Sequence, residues 1–477
     1  MIRENNKIKT QKKLKEFNEF LSDIFPEDYQ DLDGADSATV LKHIPHTVTF
    51  QVTDACNLCC TYCYQINKGH HSMTFNDARK FIDKLLAGEF ENYLPNAPGV
   101  IIEFIGGEPF LEVDLIDRIT DYFRLRTIEL NHPWAEKYSI SICTNGTLYN
   151  DPKVQKYLVK NKNHLSLSIT IDGTKKLHNS CRVFPDGTGS YDIAHEAAMD
   201  WMHNKGNELG SKITMAPGNL KYYAESMEKM VLDGYTEIYS NYVYENVWKD
   251  EDATLAYNEA KKFIDWFHEN GYDNRDYAFS FLDIKAGRPV PPGDNKNYCG
   301  GTGNMLSMDW RGDLYPCIRY MESSIGTERP PLKIGNVNEG IGTTECTHDC
   351  IACLNAVTRR SESTDECFYC PVGSGCGWCS ALNYQTFGTV NKRLVSICKM
   401  HKARTLAIVY YWNTFYKAHP KLKEHVDLWL PEKQAVKIVG QEEYDMLKEL
   451  TLSVGGKVNN KELIKENDLD WKSLGKE

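Results

Sequence analysis

From residue 47 onward the chain alternates short runs of apolar and β-branched residues with longer stretches in which apolar positions recur every three or four residues. The short runs predict strands over 47–52, 100–105, 139–143, 164–171, 212–216 and 237–242. After the first of them, Ala78, Phe81, Ile82, Leu85 and Leu86 fall on one face of a 3.6-residue period. Leu255, Ala256, Ala260, Phe263, Ile264 and Phe267 do the same after the sixth. Strands alternating with amphipathic helices predict a parallel sheet of the α/β class, and six such units an open, partial (β/α)6 TIM-like barrel. In parallel barrels the working loops lie at the carboxyl ends of the strands, so chemistry is expected in the segments that follow each strand.

The pattern changes on either side of that barrel. Residues 1–46 form an N-terminal extension, and 47–287 the barrel. Pro289, Pro291, Pro292 and Gly293 mark a linker over 288–294. Through 288–400 helical periodicity fades, cysteine becomes dense and tight turns such as Arg311-Gly312-Asp313 take over, so this region is expected to fold around metal more than around an apolar core. A helix resumes at His401 with Leu406, Val409, Tyr410 and Trp412, opening a helical extension over 401–477 with a further helical stretch near 442–450.

Composition narrows the class. A formal charge of −11 over 477 residues gives no field to attract nucleic acid or an anionic membrane. The first residues lack the apolar core of a signal peptide and no apolar stretch is long enough to span a bilayer, so the chain is expected in the cytoplasm. Sixteen cysteines in that reducing compartment point to metal ligation rather than to disulfides.

Cys56, Cys60 and Cys63 follow the first strand in the frame Cys-x3-Cys-x2-Cys. Three thiolates can hold three irons of a [4Fe–4S] cluster, which ordinarily takes four protein ligands. The remaining iron is then open to a small chelating ligand. A zinc site is the alternative, with His70 and His71 as the nearest fourth ligands, while Cys59 reads as a bystander. Gly106-Gly107-Glu108-Pro109 closes the second strand and Thr144-Asn145-Gly146-Thr147 the third; Ser168, Asp172-Gly173, His178 and Arg182 accompany the fourth. A Gly-Gly pair alone reads as a tight turn, but Glu108 sets a carboxylate at the same mouth as an open iron.

This arrangement, from about residue 47 to residue 244, resembles the radical S-adenosylmethionine (SAM) superfamily. The resemblance implies that SAM binds the open iron through its amino and carboxylate groups and is reductively cleaved to a 5′-deoxyadenosyl radical. It further implies that Glu108 and the Gly106-Gly107 turn hold the amino group and Arg182 the carboxylate. Ser168, Thr144 and Asn145 would reach the ribose or carboxylate, and Tyr62 would lie near the adenine.

Two later phrases resemble the SPASM auxiliary-cluster domain: Cys299 with Gly312-Asp313-Leu314-Tyr315-Pro316-Cys317, and Cys367-x2-Cys370-x5-Cys376 with Cys379 and Cys398. The family's ligand order implies one cluster on Cys367, Cys370, Cys376 and Cys398 and another on Cys299, Cys317 and Cys379, the latter one ligand short. Two zinc ribbons are the bland alternative. Cys346, Cys350 and Cys353 repeat the first frame, and an added cluster, a zinc site or a ligand donor all stay open for them. The missing ligand could also be a substrate thiolate. The resemblance implies a maturase that modifies a side chain of a ribosomally made peptide or protein, by thioether formation at cysteine. Its partners would be that precursor and an electron donor such as flavodoxin or ferredoxin. Sulfatase-type maturases, which make formylglycine, carry an aspartate directly after the Tyr-Pro-Cys cysteine; here that residue is Ile318. A non-enzymatic multi-zinc adaptor is the reading from another class. The 46 residues ahead of the barrel look short for a leader-binding winged-helix region.

Overall fold

A computed structural model describes residues 45–207, 209–291, 293–297 and 299–459. The expected N-terminal extension falls almost wholly outside these residues, as does the charged end of the tail. The barrel strands are β1 (His46–Gln51), β2 (Val100–Ile105), β3 (Tyr138–Thr144), β4 (Leu165–Ile169), β5 (Ser211–Met215) and β6 (Glu237–Tyr242). Between and around them run α1 (Phe75–Leu86), α2 (Val113–Glu129), α3 (Pro152–Asn161), α4 (Lys175–Cys181), α5 (Tyr191–Met199), α6 (Tyr223–Leu232) and α7 (Asp250–Glu269). All six strands stand within a residue or two of the positions that the hydrophobic pattern predicts. The five apolar residues assigned to one face of α1 are the five that it buries. Its start is set by Thr74, whose side chain accepts from the Asp77 N–H.

Strands β1 to β4 pair in parallel and in order. A short β7 (Ala278–Phe279) completes a second sheet ordered β5-β6-β7. The two sheets meet at one bridge, Ser168 with Gly210, where the Ser168 hydroxyl also donates to the Gly210 carbonyl at 3.0 Å. The cysteine-rich region does not stand apart behind its proline-rich connection. Its strand β8 (Met305–Met308) pairs in parallel with the free edge of β1, and β9 (Asp313–Tyr315), β10 (Gly335–Asn336) and β11 (Gly340–Ile341) extend the sheet to eight strands.

Register gives this sheet two chemically different faces. Val48, Phe50, Ile102, Phe104, Ile140, Ile142, Leu167 and Ile169 are buried, and Phe50 meets Phe81 of α1 at 5.2 Å between ring centroids. Ser307, Thr49, Glu103, Ser141 and Ser166 pair in one continuous row across β8, β1, β2, β3 and β4. Since side chains alternate between faces, the apolar set packs beneath the helices and the polar row lines the barrel interior.

Beyond the sheet lie α8 (Glu345–Asn355), α9 (Ser380–Phe387), α10 (Cys398–Ala418), α11 (Glu432–Val439) and α12 (Gln441–Ser453). The helix expected to resume at His401 begins earlier, at Cys398. Arg404 on α10 joins the barrel to the cysteine-rich loops. Its guanidinium donates to the carbonyls of Phe281 (2.8 Å) and Ser280 (2.6 Å) on the barrel side and of Gly375 (3.0 Å) beyond it. Replacing it, Arg404→Ala, should lower the free energy of unfolding in urea by on the order of 2 kcal/mol, because three carbonyls lose a charged donor. An unchanged midpoint would show that this joint carries no stability.

Candidate active site and cysteine groups

Cys56, Cys60 and Cys63 lie half-buried in the loop that leaves β1. Burial raises the thiol of Cys56, and pushes that of Cys60 up to about 11. Two cations work the other way. Arg182 Nη1 stands 3.7 Å from the Cys60 sulfur, and Lys68, which donates to the Leu58 carbonyl at 3.3 Å, eases ionisation of both thiols. Three soft thiols with cations beside them suit an iron–sulfur cluster, whose ligands must be thiolates. Among the described residues, no three His, Cys, Asp or Glu side chains converge on the position of a single metal ion. His71, a candidate zinc ligand, is engaged elsewhere: its Nδ1 lies 2.8 Å from Asp54 Oδ2 and its ring stacks on Trp310 at 4.0 Å.

The Gly106-Gly107-Glu108 segment is stitched to that loop by its backbone. Gly107 N–H donates to the Thr53 carbonyl at 3.2 Å and Glu108 N–H to the Ala55 carbonyl at 2.9 Å. A Cβ on Gly107 would fall 2.3 Å from the Ala55 oxygen and 2.6 Å from the Cys56 Cβ, so only glycine permits the approach. Glu108 is 1% exposed. Its Oε1 accepts from Thr144 Oγ1 (2.6 Å) and Phe110 N–H (3.1 Å), and its Oε2 from Asn145 N–H (2.8 Å). Burial raises its carboxyl pKa, and these donors pull it back. A carboxylate offers about four acceptor sites; the three bonds leave one, on Oε2, for a ligand's ammonium. Thr144 is occupied with Glu108. The Asn145 amide donates to Asn57 Oδ1 at 2.8 Å, inside the cysteine loop, while its own oxygen accepts from Thr147.

Arg182 and Tyr62 meet over Asp172. The Arg182 Nε lies 2.9 Å from Asp172 Oδ2 and 2.7 Å from the Tyr62 hydroxyl, which in turn donates to the same carboxylate oxygen. Asp172 is fully buried and is placed by His178, whose Nδ1 accepts from the Asp172 N–H at 3.3 Å and whose Nε2 lies 3.0 Å from Ser190 Oγ. Burial lowers the His178 pKa to about 4, so the ring is neutral there.

The carboxyl ends of the first four strands therefore gather three thiols, a glycine turn, a buried carboxylate and a paired arginine at one mouth. A family model described as the radical SAM superfamily matches residues 50–219, the segment that supplies all of them. These residues form a radical SAM domain. The chain is 27% identical over 278 residues to an uncharacterised protein of Methanocaldococcus jannaschii, covering 58% of this chain and 85% of that one. It is 22% identical over 375 residues to the radical SAM cyclopropyl synthase TigE of Paramaledivibacter caminithermalis, covering 74% and 70%. The solved structure of the anaerobic sulfatase maturase anSMEcpe with bound AdoMet and a Cp18Cys peptide superposes with a TM-score of 0.57 at 17% identity, over 80% of this chain and 100% of that one. This last likeness shows a shared fold. A radical SAM domain implies SAM and a [4Fe–4S] cluster; the cysteine triplet fits the cluster and Glu108 the SAM ammonium.

Behind the radical SAM barrel, the cysteine-rich region fits a SPASM domain and its thiols fall into two groups. Cys370 and Cys376 feel one another's neighbours, Cys367 and Cys398, and burial pushes Cys376 up to about 11. Cys299, Cys317 and Cys379 form the second group; burial raises the first two, and Cys379 adds to both shifts. The buried Ser380 hydroxyl lies 3.1 Å from the Cys299 sulfur. Cys346, Cys350 and Cys353 sit elsewhere, on α8.

Several residues of the barrel interior escaped the sequence reading. Glu103 accepts from Thr49 Oγ1 at 2.7 Å, and its carboxyl is raised by burial and drawn back by Thr49 and Lys212. Tyr64 faces Glu103, Cys63, Cys143 and Arg319. The Arg319 guanidinium lies over the Tyr64 ring at 5.1 Å and donates to Glu245 at 3.0 Å. The available signal was a carboxylate inside the run Val100-Ile101-Ile102-Glu103-Phe104-Ile105 and a small polar residue at every second place in β3 and β4.

Two outcomes check this site. Glu108→Gln should keep its iron but lose SAM affinity by about 1.5–3 kcal/mol, the worth of a charged hydrogen bond, whereas Gly107→Ala should lose the iron itself; equal SAM affinity for wild type and Glu108→Gln, by equilibrium binding under argon, would return the segment to a plain turn. The second concerns pH. With its folded pKa depressed, His178 contributes stability that is fully present above its ordinary value of 6.5 and is lost as pH falls toward about 4. That amounts to at most about 3 kcal/mol, and the fall of the urea midpoint over this window should be shallower in His178→Gln. Identical pH profiles would remove the neutral ring from the account.

Proposed function

We propose that this radical SAM enzyme modifies a side chain of a peptide or protein, and that the modification is a thioether crosslink at a substrate cysteine. The observation that carries the reading is the incomplete group at Cys299, Cys317 and Cys379. It has three thiols. The α8 cysteines lie beyond it: Tyr320 adjoins this group, Tyr384 adjoins Cys350 and Cys346, and the two rings stand 6.1 Å apart. A cluster held by three cysteines leaves an iron for an outside ligand, and a substrate thiolate is a soft donor suited to it. Arg319 reaches from beside Cys317 to both Cys379 and Tyr64, the neighbour of Cys63, so the short group and the barrel mouth share one wall.

SAM bound at the first cluster supplies hydrogen-atom abstraction from an unactivated carbon. The chain's own part is to hold and to exclude. Glu108 fixes the ammonium; Asp172 and Tyr62 hold Arg182 beside Cys60, and Glu103 with Lys212 gives the interior a charged wall for a peptide. The maturase fold and a relative that carries a cyclopropyl synthase name support side-chain chemistry in general. Formylglycine formation is the second reading, favoured by a match of 27% over 145 residues to a serine-type anaerobic sulfatase-maturating enzyme of Bacteroides thetaiotaomicron. Ile318 stands where that chemistry places its aspartate. The zinc-adaptor alternative gives way to the family match.

The enzyme, incubated anaerobically with SAM, a strong reductant and the peptide encoded beside its gene, should give a product two hydrogens lighter per crosslink. One hydrogen leaves the carbon and one the sulfur, and the cysteine should no longer alkylate. A product carrying a hydrazine-reactive aldehyde would establish formylglycine chemistry instead.

A further inference from the structure

We infer that Glu103 is a proton acceptor for the substrate: as the sulfur of the substrate cysteine becomes a thiolate, its proton passes to Glu103 Oε1. The inference rests on the cysteine reading proposed above, since it needs a thiol that ionises, and it holds whether the product is a thioether or an aldehyde. In this step one S–H bond breaks, one O–H bond forms, and the negative charge moves from the carboxylate to sulfur. A thiol at its ordinary pKa of about 8.5 is mostly protonated at neutral pH. A group that takes the proton is therefore required.

The strand register puts Glu103 inside the barrel, paired with Thr49 of β1 and Ser141 of β3. The next position of β3 on the same face is Cys143, which is exposed although Ile142 and Thr144 on either side are buried. Lys212 of β5 is likewise exposed between the buried Ser211 and Ile213. Successive side chains of a strand point to opposite faces, so exposure at these alternate positions marks an open lumen. In a closed eight-stranded barrel that space is filled by bulky side chains; here it is accessible. Glu103 Oε2 accepts from Thr49 Oγ1 at 2.7 Å. Oε1 reaches the lumen, and among the described residues no hydrogen bond ends on it.

The groups around this carboxylate suit the transfer. Burial raises its pKa above the ordinary 4.5, while Thr49 and Lys212 favour the ionised form. A carboxylate raised in this way is a better base than one in water. Tyr64 of the cysteine loop faces Glu103 together with Cys143, and Arg319 lies over the Tyr64 ring at 5.1 Å. Arg319 also eases ionisation of Cys317, so the same cation favours a substrate thiolate arriving at the three-thiol group. The proton's source and its acceptor thus lie on either side of Tyr64, within reach of each other directly or through one water. Other carboxylates nearby are committed. Glu108 accepts three bonds at the strand ends, Asp172 holds Arg182 and Tyr62, and Glu245 accepts from Arg319 at 3.0 Å. Ile318, beside Cys317, is apolar.

The test reads thiol ligation before any product forms. Enzyme loaded with its clusters under argon, without SAM, is mixed in a stopped-flow cell with the peptide encoded beside its gene, and the iron–sulfur absorption is followed. The same peptide with serine in place of cysteine sets the baseline. In the wild type the ligation rate should fall as pH drops through the Glu103 pKa, a limb lying above 4.5, because only the ionised carboxylate accepts. In Glu103→Gln the rate near neutral pH should be lower by about 100-fold or more, with the final spectrum unchanged, and should rise only toward the thiol's own value of about 8.5. Glu103→Ala should be as slow, and added acetate, which fits the vacated space, should restore its rate; loss of packing alone is not restored in this way. A Glu103→Gln rate equal to the wild type, or a Glu103→Ala rate indifferent to acetate, would overturn the assignment while leaving the cysteine reading intact. A wild-type spectrum indifferent to the peptide thiol would overturn that reading, and this role with it.

Discussion

The close passage of the Gly106–Glu108 backbone over the Thr53–Cys56 backbone is the constraint on which the rest of the site depends. It fixes where the cysteine loop leaves β1, and it delivers Glu108 into a buried position. An unpaired carboxylate in that position would cost several kcal/mol. Thr144 and Asn145 at the end of β3 offset the cost, and Asn145 reaches on to Asn57 in the cysteine loop. Three consecutive strand ends are thereby locked to one another by hydrogen bonds that also define the ligand pocket. Residues expected to touch SAM, such as Thr144 and Asn145, spend most of their bonding capacity on this lock.

Charge is distributed by the same logic. Five of the thiols made hard to ionise by burial have a cation nearby: Arg182 and Lys68 for Cys60, Lys68 for Cys56, Arg319 for Cys317, Arg393 for Cys376 and Lys402 for Cys370. Arg393 also donates to the Cys376 carbonyl at 2.9 Å. A cluster ligated by thiolates carries net negative charge, and cations beside it favour both thiolate formation and retention of the cluster.

The barrel was legible in the sequence because its outer face obeys simple periodicity. The α1 stripe was read residue for residue, and the motifs fall at strand ends because a parallel barrel leaves them no other working surface. The interior was not legible. An alternating strand shows one apolar and one polar face whether the polar face meets solvent or a closed lumen, so Glu103, Ser141 and Ser166 look like ordinary surface residues until register aligns them. The pairing of β8 with β1 joins residues some 260 apart on four residues of strand, and no local pattern announces it. The partnership of Arg182 with Asp172 and Tyr62 likewise depends on contacts that only the tertiary fold creates.

The proposed site is a three-thiol cluster at Cys56, Cys60 and Cys63 whose open iron would meet SAM beside Glu108. Electron–nuclear double resonance of the reduced protein, with SAM labelled by nitrogen-15 in its amino group and oxygen-17 in its carboxylate, addresses this directly. Hyperfine coupling from both labels is predicted, and it should vanish when Cys60 is replaced by alanine. A cluster signal indifferent to SAM, or coupling that survives loss of Cys60, would contradict the site.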